Sequence, residues 1–406
     1  MNLENSLFKV TPKKFVKTIV APTSKSWANR ALIIAAKKGN GFIVSQLPES
    51  SDVKNLLNAF LKIGILVEQQ GSQVKFLNSF PVCEKNTEGE VIDLYTGDGG
   101  TTNRFLIALL SCGNKTYRIF PSEKIIERPI EDLLLPLREL DVRIELPESG
   151  PWITIKGPAN TKFSKSIILD CAKSTQFATA MLLIFHDTAI SFSFKNLNSS
   201  ETYLQMTEQI IKENSNSYKV PADFSSISYP VALALVGGAV NITNCMEQDP
   251  YQADSMFIDL LLKIGGDISF TSKGLYVASQ KPLNPFVVDG SQCPDLVPTL
   301  AFLASRIEGE SRLENLAVLR HKESDRIEEI LKLLETFQVD HTFNNERSTL
   351  TIRGSKKLSP SISYCSARDH RMVMTAYLFM RANNGGLLGN TDCVKKSYPN
   401  FFEDLD

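Results

Sequence analysis

The sequence predicts an α/β (α+β) chain of two domains, each built from three like units around a buried helix. Length is the first reason: 406 residues are too many for one compact core and suit two of about 200 residues each. The second is a recurring order of segments. A polar or Gly-rich turn opens an apolar helix, and a strand, an amphipathic helix and usually a hairpin follow. That order is read six times along the chain, and six units make two domains of three. The third is the character of the six apolar helices, which lack a wide polar face and therefore belong inside.

In the first unit, residues 21–38 (APTSKSWANRALIIAAKK) form the buried helix and 42–47 (FIVSQL) a strand. An amphipathic helix then runs from a Ser51 cap to a Gly64 stop, and a hairpin turns about Gly71. The second unit repeats the order: GDGGTTNRFLIALLSC at 97–112, TYRIF at 116–120, RPIEDLLLPLREL at 128–140 with Pro129 at the helix start, and a hairpin over 142–157. The third has AKSTQFATAMLLIF at 172–185, AISFSFKN at 189–196 and SETYLQMTEQIIKEN at 200–214, without a clear hairpin. SSISYPVALALVGG at 225–238 opens the fourth, followed by AVNITN, YQADSMFIDLLLKIGG and ISFTSKGLYVAS. The fifth holds CPDLVPTLAFLASR at 293–306, SRLENL, the amphipathic helix around Ile327–Leu334, and a hairpin over 339–354. The sixth is DHRMVMTAYLFMRA at 369–382, GLLGN, and KKSYPNFFEDL. An early strand, FKVTP, joins the second domain. Buried-helix starts are closest together between the third and fourth units, which places the crossover near Ala222–Tyr229. The expected domains are 1–20 with 228–406, and an inserted 21–227, hinged near 20–22 and 222–229.

Charge narrows the function classes. With 44 basic and 45 acidic residues the net charge is −1, so no global field exists for nucleic acid or membrane, and an anion site must be a local concentration of charge. Seven Cys are scattered without a CxxC or a His/Cys cluster and read as reduced, mostly buried residues of a cytoplasmic protein. The four His show no metal-ligand spacing. The N-terminal stretch lacks a signal-length apolar core, and no apolar run reaches the roughly 18 residues of a membrane span. A soluble protein is expected.

The informative pattern sits at the starts of the six apolar helices: Lys25-Ser26 with Arg30; Gly99-Gly100-Thr101-Thr102 with Arg104; Ser174-Thr175-Gln176; Ser225-Ser226; Asp295; and Asp369-His370-Arg371. If the helices of a domain run parallel, their N-termini emerge on one face, and two such faces opposed across a hinge make a cleft rich in N–H groups that hold anions. Ser26, Ser174 and Ser225 also suit ordinary N-caps, and Gly99-Gly100 a tight turn. A seventh cluster stands ahead of the stripe Ile327, Ile330, Leu331, Leu333 and Leu334, where Arg320, His321, Lys322, Glu323, Asp325 and Arg326 fall within seven residues. Cations at a helix N-terminus weaken the helix but serve an anion. A solvated face knitted by pairs three and four apart is the plainer reading of such a run.

Taken together, PTSKSWANRAL, GDGGTTNRFL, ERPI, KSTQF, SETY, PDLVPTLAFLA, LRHKESDRI, DHRM and KKSYPNFF cover nearly the whole chain in order and resemble the enolpyruvyl transferase family, within it the members that act on shikimate-3-phosphate. The resemblance implies a two-domain fold of three βαβαββ repeats per domain with parallel buried helices. It implies transfer of the enolpyruvyl group of phosphoenolpyruvate to the 5-hydroxyl of shikimate-3-phosphate, with no cofactor and no metal, by a monomer. Lys25, Ser26, Arg30, Ser174, Thr175, Gln176, Ser200, Tyr203, Asp295 and Lys322 match positions that hold shikimate-3-phosphate. Lys25, Gly100, Arg128, Gln176, Arg326, Arg371 and Lys396 match those on phosphoenolpyruvate. Lys25, Asp295 and Glu323 match the catalytic set. Two positions depart from the pattern: Asp98 stands where many members have Asn, and Val318 where some do. The alternatives are an enolpyruvyl transferase for UDP-N-acetylglucosamine, whose family looks for a catalytic cysteine near the ERPI region that this chain lacks, and a non-catalytic nucleic-acid-binding repeat module, which the net charge disfavours.

Overall fold

In the computed structural model, which describes residues 7–82, 89–172, 174–197, 201–213 and 215–406, the chain crosses twice between two units. Thr23–Pro221 forms one; the residues up to Pro22 and Ala222–Asp406 form the other. The inserted unit holds α1 (Lys25–Lys38), α2 (Ser51–Lys62), α3 (Gly100–Leu110), α4 (Glu123–Ile126), α5 (Glu131–Arg138), α6 (Gln176–Phe185) and α7 (Glu201–Lys212). The unit with the chain ends holds α8 (Phe224–Gly237), α9 (Met256–Lys263), α10 (Val297–Arg306), α11 (Arg326–Thr336), α12 (His370–Arg381) and α13 (Phe401–Leu405).

Burial sorts the helices into two kinds. In one unit α1, α3 and α6 pack on one another, and in the other α8, α10 and α12 do so. Every residue of α1 from Trp27 to Ala36 is buried, as is every residue of α12. Side chains such as Leu32 and Ile33, fully enclosed, each contribute about 1.5–3 kcal/mol by leaving water. The remaining longer helices are amphipathic; α2, for instance, buries Val53, Leu56, Leu57 and Phe60 and exposes Lys54, Asn58 and Lys62.

The sheets repeat one plan, a parallel pair extended by an antiparallel hairpin. Strands Val91–Gly97 and Thr116–Pro121 run parallel, with Ile92 opposite Tyr117, and Ile153–Lys156 and Arg143–Glu145 continue the sheet antiparallel. In two sheets the leading strand is the segment just ahead of a crossing. Ser217–Lys219, just before the second crossing, leads the first unit's sheet by pairing with Ile43–Ser45. Phe15–Ile19, just before the first, pairs with Gly238–Ile242 and leads the fourth. Phe8–Val10 closes the last sheet against Gly386–Leu388. The third repeat, which lacks a hairpin, keeps only the parallel pair Lys165–Asp170 and Ile190–Lys195.

Several boundaries differ from the sequence expectation. Ser50, not Ser51, caps α2, its hydroxyl accepting the Val53 N–H. Pro129 stands two residues ahead of α5, separated from the short α4 by the turn that carries Arg128. A boundary at residue 227 would cut α8 within its first turn. The crossing lies instead at Pro221, ahead of the Asp223 cap that starts the helix. The charged run from Arg320 is not one helical entrance either: a 3-10 turn spans Leu316–His321, Lys322 is extended, and α11 begins at Arg326 behind its Asp325 cap. Among the described residues no helix is long and apolar enough to cross a membrane.

Candidate active site

One property separates buried helices from amphipathic ones. The first turns of α2, α5, α7, α9 and α11 each carry Asp or Glu, the ordinary way to satisfy the positive end of a helix. None of α1, α3, α6, α8, α10 and α12 has an acid there, although Asp223 and Asp369 cap two of them from outside. An acid in the first turn is worth about 0.3–1 kcal/mol, and six helices forgo it.

In the inserted unit these starts are wired together. Lys25, the first residue of α1, lies 2.8 Å from the carboxylate of Asp52 in the first turn of α2. Asp52 is nearly enclosed and packs beneath Gly99, where a Cβ would stand 2.8 Å from its Cγ. At Gly100 a Cβ would meet Arg128 Nη1 at 2.9 Å, so glycine lets that guanidinium approach the backbone of α3. Arg104 donates from Nη1 to Gln176 Oε1 at the start of α6 and from Nη2 to Pro129 O at 3.1 Å, holding the Arg128 turn to both helices. Burial, helped by the charge of Arg128, pulls Arg104 down to about 9. Ser174 Oγ accepts the Gln176 N–H, and Thr175 beside it is buried. None of Ser26, Ser174 and Ser225 is the cap residue; Ser24, Thr175 and Asp223 hold those places. Arg30 is a buried brace, donating to Thr207 Oγ1 at 2.9 Å, Ser26 O at 2.8 Å and Tyr203 O at 3.0 Å, and burial brings it down to about 10. Ser200 lies outside the described residues.

The other unit gathers a second cluster. Arg326, 1% exposed, spreads its guanidinium over three carboxylates: Asp369 at 2.8 Å from Nε, Asp295 at 2.7 Å from Nη1 and Glu323 at 2.8 Å from Nη2. Asp295 reaches on to Arg371 at 2.9 Å, and Lys396 stands 3.7 Å from Glu323. Asp369 also accepts the Arg371 N–H as the cap of α12. The plainer reading of the charged run, a solvated face, is overturned for Arg326, whose pairs are buried; it holds for Arg320, which pairs with Asp325 and Glu328 on the surface. Sequence reasoning matched Arg326 to phosphoenolpyruvate, and here its guanidinium holds three carboxylates. Burial alone would push Asp295 up, but Arg371, Lys322 and Arg326 together outweigh it and hold the group well below the usual carboxylate range. Burial, aided by Arg326 and Arg371, lowers Lys322 against the pull of Asp295.

Two participants escaped the sequence reading, and a third, Arg104, was noted at a helix start but given no role. Asp52 looks like any first-turn acid of an amphipathic helix, and its tie to Lys25 is a tertiary contact without local signal. Arg104 did leave one, since Asn-Arg recurs one turn into both α1 and α3. Asp254 lies in a 3-10 turn at Ala253–Ser255, buried, accepting from Ser225 Oγ. Burial and the Asp295 charge push it up to about 7, against Arg371.

Comparison with known proteins follows the same outline. A family model described as EPSP synthase (3-phosphoshikimate 1-carboxyvinyltransferase) matches residues 10–215 and 211–405. A 3-phosphoshikimate 1-carboxyvinyltransferase of Pyrococcus abyssi is 30% identical over 95% of this chain and 93% of its own, and one of Syntrophobacter fumaroxidans 28% identical over 95% of each. Among solved structures, EPSP synthase from Acinetobacter baumannii superposes with a TM-score of 0.77 at 21% identity, covering 98% of this chain and 97% of that one. The enolpyruvyl transferase NikO of Streptomyces tendae has the same fold, with a TM-score of 0.73 at 14% identity over 98% of this chain and 96% of its own. With both halves of the chain matched in order, the chain belongs to the EPSP synthase (3-phosphoshikimate 1-carboxyvinyltransferase) family.

Proposed function

We propose that the chain transfers the enolpyruvyl group of phosphoenolpyruvate to the 5-hydroxyl of shikimate-3-phosphate, releasing inorganic phosphate. The observation that carries this assignment of residues is Arg326, buried and shared by Asp295 and Glu323, with Arg371 and Lys396 beyond them. It supplies two carboxylates for proton transfer within reach of cations for an anionic substrate.

The chemistry explains that composition. Two phosphates and a carboxylate repel one another, and fixed cations and helix N–H groups offset the repulsion. Lys25, Ser26, Arg30, Ser174, Thr175, Gln176, Ser200, Tyr203, Asp295 and Lys322 receive shikimate-3-phosphate. Lys25, Gly100, Arg128, Gln176, Arg326, Arg371 and Lys396 receive phosphoenolpyruvate. Addition needs a proton delivered to the enol methylene, from Glu323, and one withdrawn from the attacking hydroxyl, by Asp295. The O–C bond forms at the enol carbon to give a tetrahedral ketal. A methyl proton then leaves as the C–O bond to phosphate breaks, restoring the double bond.

Asp295, neutralised by two arginines, is a weak base as it stands. A substrate carboxylate that engages Arg371 draws away the cation now 2.9 Å from Asp295, and losing that partner raises the proton affinity of Asp295. Base strength thereby follows substrate occupancy.

Phosphate release from phosphoenolpyruvate, measured with shikimate-3-phosphate or UDP-N-acetylglucosamine as acceptor, tests the assignment. Release with the first acceptor alone is expected; release with the UDP-sugar alone overturns it. Cys112 offers no support for the UDP-sugar reading, because it stands two residues beyond the end of α3 and burial pushes its thiol up to about 11.

A further inference from the structure

Helix α11 grips the turn ahead of α12 at two points. Arg326 takes Asp369, as described. One helical turn later, on the same face, Glu329 leaves its own helix and accepts the Ala367 N–H at 3.0 Å through Oε2. Its other oxygen takes the Lys332 ammonium at 2.8 Å. Glu329 is only 8% exposed, whereas its neighbour Glu328 has a side chain 55% exposed and reaches the surface Arg320. An acid early in a helix is favoured by the helix itself, but that preference is satisfied in solvent, as Glu328 shows. It does not account for a carboxylate turned inward onto a backbone amide 38 residues further along the chain.

The held turn is short and leads directly to the cluster. Ala367 O accepts the Asp369 N–H at 2.7 Å, and Asn390 Nδ2 donates to Ser366 O at 2.7 Å from the opposite side. Asp369 then receives Arg326 Nε, the Ser324 hydroxyl at 3.2 Å and the Arg371 N–H at 2.9 Å. Where the Ala367 amide sits therefore fixes where Asp369 sits, and with it the plane of the Arg326 guanidinium and the first turn of α12 that carries Arg371.

We propose that Glu329 is a positioning residue for the Asp369, Arg326 and Arg371 cluster, acting through the Ala367 amide. The proposal rests on the catalytic reading above. In turnover, Glu329→Ala should lower kcat about tenfold and raise the phosphoenolpyruvate KM severalfold, because small displacements of positioning groups cost rate steeply, while shikimate-3-phosphate affinity stays within about twofold. Glu329→Gln keeps an oxygen for the Ala367 N–H and should recover most of the loss. Lys332→Met, which removes only the outer ion pair, should behave as the parent.

Amide hydrogen exchange over residues 366–369 supplies a readout independent of catalysis. It should quicken in Glu329→Ala and stay near the parent in Glu329→Gln. Unaltered exchange in the Ala variant, or equal kinetic damage in the Ala and Gln variants, would overturn the proposal. Should Glu329→Ala fail to fold, the Gln variant must match the parent in exchange and phosphoenolpyruvate KM, and a Gln variant that departs from it in both refutes the role. If the parent turned over neither acceptor, the catalytic reading would fail, and the exchange comparison would still decide whether Glu329 holds the turn.

Discussion

Glu323 of the second cluster and the buried Asp254 each make their own prediction. Glu323 lies between Arg326 and Lys396, and Glu323→Gln preserves shape and hydrogen bonding but delivers no proton. Substrate affinities should persist while kcat falls about 10²–10⁴-fold. In heavy water the parent should wash deuterium into the methylene of phosphoenolpyruvate, and rapid wash-in by the variant would move the acid role to Lys25. Asp254 is held mainly by burial at about 7, above the usual carboxylate value of about 3.9. Between those values the unfolded chain has released this proton and the folded chain keeps it, so this group makes stability fall as pH rises, with the penalty complete above about pH 7. Asp254→Asn should therefore gain in Tm relative to the parent between pH 5 and pH 8, by calorimetry. A pH-independent difference would show that the group does not titrate there. The setting of Glu323 was partly visible in the sequence, since Arg326 stands three residues on; that of Asp254 was not, because it reads as an ordinary polar residue before α9, and its proximity to Asp295 and Arg371 arises from a fold that brings residues 41 and 117 positions away beside it.

At the scale of elements, the missing first-turn acids are a testable exchange of stability for binding. Thr101 is the second residue of α3, next to Gly100, which lies against Arg104 and Arg128. Thr101→Glu gives the helix the charge its end prefers and should stabilise the chain by about 0.3–1 kcal/mol. The same charge occupies the place of an anion, so the phosphoenolpyruvate KM should rise at least tenfold. Equal KM in variant and parent would mean that the start of α3 faces no anionic ligand. Most helices were legible because period and polarity are local properties: α2, α6, α9 and α12 lie where the apolar stripes put them. Their ends were less so. Ser50 and Ser51 are chemically the same cap candidate, and only backbone geometry chooses between them. The stretch after Leu316 misled for a different reason, since its charges mark a turn that supplies ligands to Arg326 and not the helix that follows.

Across the whole molecule, the exchange of leading strands was the least legible feature, because pairing partners far apart in sequence leave no local pattern. Ser217–Lys219 belongs to the sheet of the first repeat and Phe15–Ile19 to that of the fourth. The N-terminal segment is consequently structural. Deleting residues 1–12 removes the strand Phe8–Val10 from Gly386–Leu388 and takes away Thr11 O, which accepts Arg381 Nη1 at 2.6 Å. Arg381 is only 3% exposed, and leaving a buried guanidinium short of a partner costs about 1–3 kcal/mol. A truncated chain should melt several degrees lower, and an unchanged Tm would show that the strand is dispensable.

The pairing of Phe8–Val10 with Gly386–Leu388 also has a consequence in time. During synthesis the first strands leave the ribosome long before their partners exist. Phe15–Ile19 must wait for Gly238–Ile242, roughly 10–45 seconds at about 5–20 residues per second, and Phe8–Val10 longer still, for Gly386–Leu388. The inserted unit has all its strands once Lys219 has emerged, so it is free to mature first while a leader ahead of it, carrying the exposed apolar side chains of Val16 and Val20, stays unpaired. The sheets of the unit formed by residues up to Pro22 and Ala222–Asp406 therefore close only after every strand of the inserted unit is available.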